Sequence, residues 1–111
     1  MDVQDTVERL RALIYEVAAA NPEIGPLREG VAWGQPSFRQ PTKGIGTAVR
    51  IGEAKGAVWL LVHCQTSLIA EHRARWGDEL TYDGNRGLRV DDVDDPRVAQ
   101  FVHSVLTYRL K

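Results

Sequence analysis

His63 and Cys64 are neighbours in this chain, and a thiol beside an imidazole is the pairing that a nucleophilic cysteine needs to become a thiolate. Both follow an apolar alternation, Val58, Leu60 and Val62, that reads as a strand. Adjacent strand residues point to opposite faces, so His63 and Cys64 diverge, and Cys64 takes the inward parity of Leu60 and Val62 as a small packing residue that should label slowly. Together with His72 and His103 they are ligand types suited to zinc, yet none of them pair at the short spacings of zinc sites. His72 falls in the apolar arc of a helix and reads as a hydrogen-bonded core histidine. Asp91, Asp92, Asp94 and Asp95 form an acidic cluster whose oxygens suit a hard cation, and weak, exposed carboxylates at Asp91, Asp92 and Asp94 are what iron handling would use. The segment lacks the glycine spacing of a calcium loop, and Asp95 has a second explanation as a helix cap.

A different set is Trp33, Gln35, Phe38, Gln65, Arg86 and Tyr108. Aromatic walls with a few orienting polar groups make a small-ligand pocket, and the Arg86 guanidinium can grip a carboxylate or phosphate with two parallel hydrogen bonds. Residue by residue an alternative stands beside this. Trp33 and Phe38 serve the core, Pro36 shapes a turn, and Arg86 pairs with Asp83 or covers Tyr82.

The elements that must position these residues follow from periodicity. Val3, Val7, Leu10, Ile14 and Val17 recur at helical steps, which predicts a helix near 3 to 20 that ends where Asn21 meets Pro22. From Leu27 to Cys64 the period changes to two, with strands around Val31–Trp33, Val49–Ile51 and Val58–Val62. The last is apolar on both parities, Trp59 and Leu61 opposing Val58 and Leu60, so it should be central and covered on both faces. Thr66 or Ser67 can cap a helix near 66 to 76 that Gly77 ends, and Asp95-Pro96 starts a third helix near 96 to 109. Around Asp83-Gly84-Asn85 a three-residue loop ending in a left-handed Asn85 puts Leu80, Tyr82, Leu88 and Val90 on one face, with Tyr82 across from Arg86. On this register Arg86 lies on the Leu88 face. The sum is a single α+β domain over residues 1–111, with an N-terminal helix, an antiparallel sheet of about five strands and two further helices packed on it.

Composition narrows the function classes. With 14 basic and 15 acidic residues the formal net charge is -1, which gives no electrostatic footprint for nucleic acid or an anionic membrane. No apolar stretch approaches the roughly 20 residues of a membrane span, and the opening MDVQDTVERL is acidic where a secretory leader is basic. One cysteine cannot form an internal disulfide, which fits a cytoplasmic protein.

Four segments in order, Trp33-Gly34-Gln35-Pro36-Ser37-Phe38, His63-Cys64-Gln65-Thr66, Asp83-Gly84-Asn85-Arg86-Gly87 and Leu106-Thr107-Tyr108, make the chain resemble the domain-of-unknown-function 1801 family, also called YdhG-like. The resemblance covers nearly the whole chain and implies a small α+β domain with helices on an antiparallel sheet. Some YdhG-like proteins are described as frataxin-like intracellular iron chaperones, so it also implies an iron alternative. Many relatives continue the last segment with His, where this chain has Arg109.

The expected function is therefore binding of a small anionic ligand or a protein partner by a monomer or homodimer, without catalysis and without a cofactor. Iron binding through Asp91, Asp92 and Asp94 comes second and an enzyme third.

Overall fold

The structure is a computed structural model that describes residues 3–24, 26–32, 34–40, 48–54, 56–62, 67–84 and 86–107. Among these residues the chain forms three α-helices, one 3₁₀ turn and a six-stranded antiparallel sheet. In chain order the elements are α1 (Val3–Ala19), β1 (Arg28–Ala32), β2 (Gln35–Arg39), β3 (Val49–Ala54), β4 (Ala57–Leu61), α2 (Leu68–Trp76), the 3₁₀ turn Gly77–Glu79, β5 (Tyr82–Asp83), β6 (Gly87–Val90) and α3 (Pro96–Leu106). The spatial strand order is β1-β2-β3-β4-β6-β5, so β4 is central as its doubly apolar sequence requires.

Alternation along the strands builds the core. Phe38, Val49, Ile51, Val58, Leu60, Leu88 and Val90 share one parity through the cross-strand register, and all are buried. Against them lie Leu10 and Ile14 of α1, Leu68 and Ile69 of α2, and Val98, Phe101, Val102, Val105 and Leu106 of α3. The helices therefore occupy one face of the sheet. Each fully buried side chain of this size contributes about 1.5 to 3 kcal/mol. The expectation that β4 is covered on both faces does not hold among the described residues: Trp59 and Leu61 point away from the helices and remain half-buried.

Helix ends follow local chemistry. The Asn21 side chain donates to the Val17 carbonyl at 2.8 Å, closing α1 before Pro22. Asp95 caps α3, accepting from the Arg97 amide at 2.9 Å with Pro96 behind it. Ser67 stands at the cap position of α2, where its hydroxyl donates to Glu71 Oε2 at 2.6 Å and does not form the side-chain cap bond.

Two sequence expectations are corrected. The extra strand is β2: Pro36 is no turn residue but pairs with Val31, and pairing with β3 begins only at Ser37, past the residue that lacks an amide hydrogen. The turn sits between Ala32 and Gln35, where Gly34 supplies φ +74°. In the last hairpin Tyr82 faces Leu88 and Asp83 faces Gly87, so Arg86 lies in the loop and not across from Tyr82. Gly84 takes a left-handed φ of +51°, which glycine adopts without steric cost, and Asn85, expected to be left-handed, lies outside the described residues. The slip is an even number of residues, so Tyr82 keeps the face of Leu88, while the guanidinium over its ring is Arg73, 4.8 Å away.

Candidate functional site

The face of the sheet turned away from the helices carries the second parity of each strand. From β2 this is Gln35 and Ser37, from β3 Arg50 and Gly52, from β4 Trp59 and Leu61, and from β6 Gly87 and Arg89. Cross-strand register sets them in two rows, Arg50–Leu61–Gly87 and Gly52–Trp59–Arg89. Two cations thus stand at opposite ends of one diagonal across an apolar pair, with a glycine at each end of the other.

The glycines shape the surface. A Cβ on Gly52 would lie 2.7 Å from Leu61 Cδ1 and 2.8 Å from Gln35 Nε2, and one on Gly87 would lie 2.9 Å from Leu61 Cδ2. Their bare backbone lets Leu61 spread flat over both positions and lets Gln35 reach inward. Above this floor is a cavity of about 590 Å³, with Gln35, Arg50, Trp59, Leu61, Arg86 and Arg89 among its lining residues.

The three arginines differ. Arg50 is half-buried, donates from Nη1 to Gln35 Oε1 at 3.3 Å, and has no carboxylate partner among the described residues. Arg89 is held by Asp91, Nε to Oδ1 at 2.8 Å. Arg86 stands on the rim with 64% of its side chain exposed and its Nη2 3.5 Å from Asp83 Oδ2. It reaches the open face, not the Leu88 face that the expected loop implied. Trp59 adds an orphan: among the described residues its indole Nε1 is buried with no acceptor, a deficit of about 1 to 3 kcal/mol.

Of the six residues proposed from the sequence, Gln35 and Arg86 meet at this cavity. Phe38 takes the core alternative: it is 0% exposed on the helix side, its ring edge-on to Tyr15 with centroids 5.8 Å apart. Trp33, Gln65 and Tyr108 lie outside the described residues, as do His63 and Cys64. Arg50, Trp59, Leu61 and Arg89 were missed. The signal for them was the second parity of the same strands whose first parity was read as core.

The acidic cluster is engaged by protein groups. Asp94 takes both oxygens to Arg9 Nη2 at 2.9 Å, Asp91 holds Arg89, and Asp92 Oδ1 accepts from the Asp94 amide at 3.0 Å. Among the described residues no three His, Cys, Asp or Glu side chains converge as a metal site would require. Groups with displaced pKa sit outside the cavity lining. Hydrogen bonds from Arg11 and Tyr15 lower the Glu29 carboxyl, and the Arg97 guanidinium lowers Asp95. His72 is 5% exposed, its Nδ1–H donating to the Leu68 carbonyl at 2.7 Å and its Nε2 3.2 Å from Ser104 Oγ. That confirms the rotation of α2 read from its apolar arc.

No helix among the described residues is long and apolar enough to cross a membrane. Comparison of the chain with protein-family models, with curated proteins and with solved structures found no match.

Proposed function

We propose that the open sheet face binds a small anionic ligand and that the protein works by binding, without catalysing a reaction. One observation carries this reading: Arg50 lines a cavity of about 590 Å³ half-buried and without a carboxylate partner among the described residues. A partly desolvated cation favours an anion that enters beside it, and a guanidinium offers a carboxylate or phosphate two parallel bonds. Leu61 and Trp59 supply apolar area, Gln35 a fixed polar group, and the cavity volume lies within the range of about 300 to 1,000 Å³ typical of small-molecule sites. Membership among YdhG-like domains and a cytoplasmic location belong to the same proposal, supported by the order of the four motifs and by the single cysteine. Iron binding has less support, because Asp91 and Asp94 already hold arginines and Asp92 a backbone amide.

Titration calorimetry with inorganic phosphate, acetate and citrate at low ionic strength tests the proposal. Arg50→Met should keep the fold and weaken binding at least tenfold, Arg86→Met should weaken it less, and Asp94→Asn should leave it unchanged. If Arg50→Met binds all three anions like the parent, the site is elsewhere.

A further inference from the structure

Arginines on the open face continue beyond the cavity. Arg28 of β1 pairs directly with Arg39 of β2, and Ser37, two residues before Arg39, pairs with Arg50 of β3. The three therefore share the open face on three adjacent strands. Directly opposed residues have Cβ atoms about 5 Å apart and diagonal ones about 8 Å, so the charges form a short, continuous row. Among the described residues none of Arg28, Arg39 and Arg50 has a carboxylate partner, whereas Arg9, Arg11, Arg86, Arg89 and Arg97 all do. Like charges set directly across a sheet oppose its pairing. A row of three unneutralised cations leads away from one end of an apolar floor, and that asymmetry carries chemical information.

Building on the anion-binding reading, we infer that the ligand is an amphipathic polyanion: a flat apolar body over Trp59 and Leu61, joined to a chain of two or more anionic groups running from Arg50 to Arg39 and Arg28. This is the chemistry of a nucleoside oligophosphate. The first anionic group meets Arg50 beside Gln35, and the later ones meet Arg39 and Arg28, which lie outside the cavity lining. A ligand with one anionic group reaches only Arg50. An inorganic polyanion reaches the row but leaves the floor uncovered.

Calorimetry with AMP, ATP and inorganic tripolyphosphate in metal-free buffer at low salt separates these cases. ATP should bind at least tenfold more tightly than either AMP or tripolyphosphate. The double variant Arg28→Met/Arg39→Met should reduce ATP to the affinity of AMP while leaving AMP unchanged, a pattern that general loss of folding does not produce. Equal affinity for AMP and ATP would remove the arginine row from the site and leave the small-anion reading intact. Equal affinity for tripolyphosphate and ATP would remove the apolar floor. If these three probes and phosphate, acetate and citrate all fail to bind, the small-anion reading falls with the inference.

Discussion

At the scale of the residue, His72 shows how a polar side chain is made compatible with a core. The Leu68 carbonyl can only accept, so Nδ1 carries the proton, and the ring lies between Trp76 at 4.7 Å and Phe101 at 5.2 Å. His72→Lys should destabilise the protein by at least about 2 kcal/mol, because an ammonium is forced among these rings without a counter-ion. The exposed His103→Lys should change stability by no more than about 0.5 kcal/mol. Urea unfolding of both variants measures the difference, and equal midpoints would refute the burial argument. Asp95 and Glu29 set the acid limb of stability. Their pKa values are depressed in the folded chain by Arg97 and by Arg11 with Tyr15, so the folded state binds fewer protons than the unfolded one. Their contribution is complete above the unfolded values of about 4 and drains away as the pH falls through them toward the depressed ones. Melting temperature followed from pH 6 to 2 should fall less steeply in Asp95→Asn and Glu29→Gln than in the parent.

At the scale of the element, the two glycines on the open face matter for what they leave out. Gly52→Ala should cost about 1 to 3 kcal/mol, the usual range for overpacking, since Leu61 Cδ1 and Gln35 Nε2 must both move from within 2.8 Å of the new methyl. Both are ends of flexible side chains, so the fold survives. The floor does not, and anion binding should weaken along with it, which calorimetry on the folded variant would register. The β1–β2 hairpin carries a cost of its own in the opposed pair Arg28 and Arg39. Two unit charges about 5 Å apart in a water-like dielectric repel by about 0.8 kcal/mol. Arg39→Thr should therefore raise stability by up to about that amount at low salt. In 1 M salt, where the screening length is about 3 Å, the gain should vanish. Chemical denaturation of parent and variant in both salts tests this, and a gain that persists at high salt would point to strand propensity in place of charge.

At the scale of the molecule, the fold sorts charges that the composition averages away. A net charge of -1 argues against an electrostatic binding surface. Yet Arg28, Arg39 and Arg50 share one sheet face with no carboxylate partner among the described residues, beside Arg86 and Arg89, which pair with Asp83 and Asp91. A near-neutral chain thus presents a locally basic face. The covered face holds the core and the open one is left to interact, as one-sided antiparallel sheets permit.

What the sequence determined by itself were the features that rest on local periodicity. The arcs of α1 and α3, the Asp95-Pro96 start, the inward parity of Val58 and Leu60 and the burial of His72 all follow from which side chains share a helix face or a strand face. The site depended on relations that periodicity does not encode. Arg50, Leu61 and Gly87 are far apart along the chain, and only the β3–β4–β6 register brings them into one row. Arg86 missed its expected face because the loop slipped by an amount that keeps every neighbouring strand residue on the same side, a change to which hydrophobic patterning is blind. Which arginines of the open parity would stand together, and that Arg50 would lack a carboxylate partner among the described residues while Arg89 is held by Asp91, was decided by the tertiary structure, because strand register and not periodicity sets those neighbours.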